Sequence, residues 1–186
     1  MLNLPTITLV IIDNLDRKRA EHAVNKCLAC AEFGAVQRIY DVPIRDKSEY
    51  SVFVLRRLHE FVATQHCLLI QWDGFIVNPQ AWNPEFLSYD YIGAPWWWDH
   101  DHNVGNGGFS LRSAKMLKAT TDQHLQPAHP EDAAIRENKV YLETVHGIKI
   151  APESLAAQFS WEENPKYPRY AGAFGFHGKT PNQTFL

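Results

Sequence analysis

Cysteine is scarce in this sequence, positive charge is not in excess, and no apolar run approaches the length of a membrane span. Each shortfall closes off a class of function. The cysteines are Cys27, Cys30 and Cys67, an odd number. Cys27 and Cys30 form a Cys-x-x-Cys, yet zinc needs two further ligands and a redox pair needs a turn or a helix N-terminus. Both fall inside an Ala-rich amphipathic stretch, so they are expected as small buried apolar residues in a reducing compartment. The formal net charge of -3 and the lack of a long run of like charge argue against a nucleic-acid binder, which carries a basic patch. The chain does not open on a basic segment followed by an apolar stretch and a small-residue cleavage site. The run from Ile7 to Ile12 has the length of a strand, against roughly 20 residues for a bilayer span. The expectation is a cytoplasmic protein with no transmembrane segment.

What is present is ordinary core material with an excess of rings. The 186 residues suit one domain, and 45% hydrophobic with 21% charged residues is the balance of a folded protein. Aromatic residues reach 12%, with six Trp. Rings of this size fill a core or line a groove for sugars or bases, and composition does not choose between the two.

The run TITLVIID at positions 6–13 is apolar almost throughout and ends in an acid, which predicts a buried parallel strand. Asp16 offers an N-cap, and Ala20, Ala23, Val24, Cys27, Leu28 and Ala31 recur at helical spacing, predicting a helix over 17–33 that Gly34 stops. A strand over 35–42, a helix capped by Ser48 and a strand over 66–75 follow. That alternation is the pattern of a doubly wound sheet, in which ligands sit beyond the carboxyl ends of the strands. Asp13, Asn14, Trp72 and Asp73 would then share one rim. Past Asp73 the texture loosens: short strands at 89–92 and 108–111, helices over 113–120 and from Pro130 to about residue 145, a strand at 148–151 and a last turn or strand over 172–178.

Several constellations carry residues with chemistry. Asp73 ends a buried apolar strand, where a carboxylate needs a partner: either a turn at Gly74 or a divalent cation shared with phosphate oxygens. Gly105-Asn106-Gly107-Gly108 either brings backbone amides close to a ligand or makes a tight hairpin, and with no Gly-Lys-Ser/Thr it is not a phosphate P-loop. Glu131-Asp132 after Pro130 is a helix-start acid pair, which serves as a dipole cap or as a general base. His177 between glycines is a surface residue or a metal ligand. Asp99-His100-Asp101-His102 alternates like a metal cluster but reads as a solvated insertion.

The stretches QWDGF, YDYIGAPW, GNGGFSLRS, PED, FSWE and GFHG follow in order between residues 68 and 178. In that order they resemble an uncharacterised family of glycosyltransferase-like domains found in bacteria and fungi. That family in turn resembles GT-A enzymes, which move a sugar from a nucleotide-sugar donor to an acceptor. The fold implied is a single-domain, GT-A-like (Rossmann-like) mixed α/β sheet flanked by helices. Its nucleotide-binding half would be residues 1–77 and its donor- and acceptor-binding half residues 78–186.

The resemblance also assigns roles. GT-A enzymes end a strand in Asp-x-Asp, and here Gln71-Trp72-Asp73 keeps only the last acid. Asp73 and His177 are the implied ligands of a divalent cation, Mn²⁺ or Mg²⁺. Gln71, Gly105, Asn106, Gly107 and Gly108 are implied to line the donor site, with Asp13 and Asn14 at the nucleotide. Asp132 is the implied base, with Glu131 on sugar hydroxyls, and Trp96, Trp97 and Trp98 would stack on the acceptor. Such a site neutralises the leaving diphosphate and takes the acceptor proton, and a single base favours inversion. Two rivals stay open: a non-catalytic nucleotide-sugar or carbohydrate-binding module, and a metal-dependent hydrolase built on His100 and His102.

Overall fold

The computed structural model describes residues 1–98 and 103–185. Chain order is β1 (Leu2–Ile12), α1 (Arg17–Cys30), β2 (Ala31–Ile39), α2 (Lys47–Arg56), β3 (His66–Ile70), β4 (Tyr91–Ile92), β5 (Phe109–Ser113), α3 (Ala114–Ala119), α4 (Glu131–Glu137), α5 (Lys139–His146), α6 (Glu153–Phe159), β6 (Ser160–Trp161), β7 (Gly175–Phe176) and α7 (Lys179–Phe185). The main sheet runs β2-β1-β3-β5-β4. β1 is parallel to β2 and β3, whereas β5 is antiparallel to β3 and β4. β6 and β7 form a second, two-stranded parallel sheet.

β1 is apolar on both faces because helices cover both. Ile7, Leu9 and Ile11 pack with Ala20, Ala23, Val24 and Cys27 of α1. Val10 and Ile12 pack on the other side with Phe53 and Val54 of α2. Alternate residues of a strand point to opposite faces, so a two-sided core demands a continuous apolar run. Each such side chain, fully buried, contributes on the order of 1.5–3 kcal/mol. Cys27 belongs to this core, as expected, whereas Cys30, expected to be buried with it, is only partly buried at the end of α1; Cys67 is buried, and all three thiols are free. Burial pushes both buried thiols up to about 12.

The expected order of elements holds, and the boundaries move for local reasons. β1 starts at Leu2 and pairs with Ala31–Phe33 before a register shift between Leu4 and Thr8. Pro5, which has no N–H to give the ladder, sits in that shift. Gly34 therefore does not stop α1. It lies in β2 against Pro5, where a Cβ would overlap the Pro5 carbonyl. The cap of α2 is Asp46, not Ser48: its Oδ1 accepts from Glu49 N at 2.9 Å. β3 ends at Ile70: Gln71 N still donates to the β5 side, but its carbonyl turns away to accept from Gly74 N at 3.1 Å. The helix expected from Pro130 to residue 145 is two, broken at Asn138, whose Nδ2 donates to the Ala134 carbonyl. The strand expected at 148–151 is a single bridge from Ile150 to Tyr91. Among the described residues no helix is long and apolar enough to cross a membrane.

Candidate active site

The mixed pairing of the sheet assembles the site. β5 runs against β3, so the start of β5 lies beside the end of β3: Phe109 pairs with Ile70, and Gln71 N donates to Gly108 O at 2.9 Å. Two segments far apart in sequence, residues 71–73 and 105–108, thus meet at the carboxyl rim of β1 and β3. Asp13 and Asn14 stand there too, though both are already employed. Asp13 Oδ1 accepts from Leu15 N and Asp16 N at 2.8 and 2.9 Å, and Asn14 Nδ2 donates to the Ile44 carbonyl. They shape the loop as well as line the cleft.

In the glycine loop the amides are not left open. Gly107 N donates to Asp132 Oδ2 and Gly108 N to Asn106 Oδ1, each at 3.0 Å. The glycines are needed because side chains lie directly on the loop. A Cβ on Gly107 would overlap the Glu131 carboxylate, and one on Gly108 would overlap the His177 ring. The loop is a seat for the Glu131 and His177 side chains.

One of those side chains heads a polar node. His177 Nε2 lies 3.2 Å from Gln71 Oε1 and 3.5 Å from Asp73 Oδ1, and Nδ1 lies 3.3 Å from Glu162 Oε1. Glu162 Oε2 accepts from Asn106 Nδ2 at 2.8 Å. Burial works against a charged imidazole here, but the carboxylates of Asp73 and Glu162 outweigh it and push His177 up to about 10. Asp73 Oδ1 is buried and accepts no hydrogen bond.

The second acid centre is the start of α4. Glu131 turns inward, its Oε1 3.1 Å from Arg112 Nη2, in an ion pair buried on both sides. Arg112 also donates from Nε to Ser110 Oγ at 3.0 Å. Asp132 faces the loop, with Oδ2 on Gly107 N and Oδ1 accepting from Ala133 N at 2.8 Å. Burial, then the charge of Glu131, raises Asp132 above the ordinary carboxylate range. Each of its oxygens has a lone pair to spare.

A cleft of about 380 Å³ collects Asp13, Asn14, Gln71, Asn106, Glu131, Asp132 and His177, together with Tyr50, Trp72, Gly108 and His129. Asp73, Gly105 and Gly107 are not among its lining residues. Trp96, Trp97 and Trp98 do not line it: Trp96 stacks on Trp98 with centroids 5.1 Å apart, and Arg136 covers Trp98 at 4.6 Å. Trp97 and Trp98 are about half exposed. The Asp99 to His102 stretch, and with it the hydrolase reading, lies outside the described residues.

Two residues at the site escape the sequence reading. Glu162 closes the FSWE stretch, and only its chain position hinted at a role. His129 precedes the Pro-Glu-Asp stretch, and its Nδ1 lies 3.0 Å from Ser51 Oγ, which is also 3.0 Å from the Lys47 carbonyl oxygen.

Asp73 Oδ1 and Gln71 Oε1 are hard oxygens, and His177 Nε2 would join them as a nitrogen donor only on giving up its proton, a donor set that then suits Mn²⁺ or Mg²⁺. Glu162 on Nδ1 would orient that imidazole from behind. Among the described residues no three His, Cys, Asp or Glu side chains form a metal-binding cluster. The fit therefore depends on Gln71 and on oxygens from a ligand.

Strand order and the rim site together define a GT-A-like α/β fold. Among solved structures the chain is similar to a glycosyltransferase involved in the glycosylation of the major capsid of PBCV-1, at 12% identity and TM-score 0.56, over 97% of this chain and 98% of that one. A197 from STIV is similar at 13% identity and TM-score 0.43, over 81% of this chain and 80% of its own. No curated protein matches the sequence. The chain belongs to the family described as protein of unknown function (DUF5672), whose model matches residues 35–177.

Proposed function

We propose that the protein is a glycosyltransferase that moves a sugar from a nucleotide-sugar donor to an acceptor hydroxyl, with inversion at the anomeric carbon. The observation that carries this reading is Asp132: a half-buried carboxylate in the cleft, fixed by the Gly107 amide, with its proton affinity raised. A carboxylate so placed can take the proton of an attacking hydroxyl.

In the transfer, the acceptor oxygen forms a bond to the anomeric carbon while its proton passes to Asp132. The bond from that carbon to the leaving phosphate oxygen breaks, and the nucleotide keeps the electron pair. Asp13 and Asn14 border the nucleotide, and Gln71 with the Gly105 to Gly108 loop borders the donor sugar. His129 lines the same cleft and offers its ring to a hydrogen bond with the donor. Glu131, locked by Arg112, positions Asp132 and raises its proton affinity through its charge. Trp96, Trp97 and Trp98 offer ring faces to the acceptor outside the cleft. Asp73 and His177, with Gln71, would hold a divalent cation, which supplies charge neutralisation at the leaving diphosphate.

Asp132→Asn tests the role. Transfer should fall by about 100-fold or more, the typical share of a general base, while calorimetry shows donor affinity within about twofold of wild type. Retained turnover would remove Asp132 from the role. A second reading, a non-catalytic sugar-nucleotide module, is favoured by Gln71 standing where GT-A enzymes carry the first acid. Donor binding with no turnover in the wild-type protein would select it.

A further inference from the structure

Trp72 lines a second cavity as well as the main cleft. That cavity, of about 610 Å³, lies within the size range of small-ligand sites. Its other walls are Asp16, Lys18, Arg19 and His22 at the start of α1, with Lys179 and Gln183 of α7. No aliphatic side chain is among them. The three cations outnumber the single acid, in a chain whose formal net charge is -3.

The way these charges are held points to a ligand. Arg17, Lys18 and Arg19 fill the first turn of α1, which holds no acid, although the helix macrodipole disfavours cations at that end. Arg17 is answered by Asp41 at 3.1 Å. Lys18 and Lys179 are both exposed, and among the described residues neither has an ion-pair partner. Arg19 is fixed in place: its Nε lies 3.2 Å from Asp16 Oδ2, and its guanidinium stacks over the Trp72 ring at 5.0 Å. A guanidinium held in this way still has donors for a ligand and little freedom left to lose. Asp16 also caps the turn, Oδ1 accepting from Arg19 N at 3.1 Å, so side chains and not open helix amides make the site. His22, edge-on to Phe75 with centroids 6.0 Å apart, lines the same space. A fixed Arg fork with two unanswered lysines matches a phosphate dianion, since Arg supplies paired N–H donors and Lys supplies point charge. A neutral sugar would leave both lysines unanswered.

We propose that this cavity is an anion subsite that takes the phosphate group of a phosphorylated acceptor, whose hydroxyl end reaches past Trp72 into the cleft. The acceptor role rests on the transferase reading above; the phosphate site itself does not. In that reading the donor diphosphate is answered at Asp73 and His177, which leaves this second position to the other substrate.

The test is amide NMR of the intact protein titrated with glucose 6-phosphate, inorganic phosphate and glucose at constant ionic strength. Both phosphates should shift the amides of residues 17–22 and 179 and the Trp72 indole N–H, and glucose should not. Lys18→Glu combined with Lys179→Glu should weaken glucose 6-phosphate binding by about tenfold or more, as two charges facing a dianion are reversed. The melting temperature of Lys18→Glu should hold or rise, because an acid suits the first turn of a helix; a lysine kept for structure would lower it. Shifts that map elsewhere, glucose acting like its phosphate, or unchanged affinity in the double variant would each overturn the subsite. Loss of affinity in that variant for UDP, GDP, CMP or dTDP, with glucose 6-phosphate bound as before, would give the site to the donor and overturn the acceptor role. Phosphate binding here by a protein that turns over no nucleotide-sugar keeps the subsite and removes transfer. Turnover by a protein whose cavity takes neither phosphate keeps transfer and removes the subsite.

Discussion

Asp132 is under two opposing influences. The Gly107 and Ala133 amides favour its ionised form, whereas burial first and the Glu131 charge second disfavour it, and the second pair prevails. The sign of the consequence is fixed. A base must be ionised to act, so activity falls as pH drops through the raised value. The acid limb of the rate profile should lie above about 3.9, the ordinary aspartate value. A limb at or below that value would show that Asp132 is not the titrating base. Asp132 was legible in the sequence because two acids after a proline mark a helix start. His129 was not, since nothing in the sequence tells that Ser51, 78 positions earlier, would pin its Nδ1. Likewise, three glycines in four residues left a ligand-facing loop and a tight hairpin equally open. What they accommodate are the side chains of Glu131 and His177, arriving from other elements.

Among the elements, α4 is tied to the sheet by the Arg112–Glu131 pair. Glu131→Ala would leave a buried guanidinium without its carboxylate and should destabilise the protein by about 3–5 kcal/mol, read from denaturant melts. A loss under 1 kcal/mol would mean that water reaches Arg112. A second tie joins the turn after α3 to α5. There Asp122 accepts from His124 N at 2.9 Å, and also from Tyr141 OH at 2.8 Å. His124 Nδ1 and His146 Nε2 lie 3.0 and 2.9 Å from its carboxylate. The His124 backbone N–H, followed by these side-chain bonds, holds Asp122 well below the usual carboxylate range. Its contribution to stability is thus full above the unfolded carboxylate value and fades as pH falls toward the folded one. Asp122→Asn should flatten the acid side of the melting profile between pH 2 and 5. An unchanged slope would remove this tie from the acid response. Element types followed from periodicity, and β1 in particular from its two-sided apolar run. The ends did not, because they depend on partners: Pro5 against Gly34, Asn138 on its own helix, Gln71 on the β5 loop.

At the scale of the whole molecule, the alternation of strands and helices was readable through β3. The antiparallel insertion of β5 was not, because short strands of two to five residues carry almost no periodicity. That insertion is what brings the glycine loop to Gln71, Trp72 and Asp73, and so makes a site from two distant stretches. One assay bears on the resulting account more directly than any other. Purified protein is incubated with UDP-, GDP-, CMP- and dTDP-sugars, with and without Mn²⁺, and nucleotide release is followed for wild type and Asp132→Asn. We predict that wild type releases the nucleotide of one donor class, faster with Mn²⁺, and that Asp132→Asn does not. Absence of release from every donor, or equal release by the variant, would contradict it.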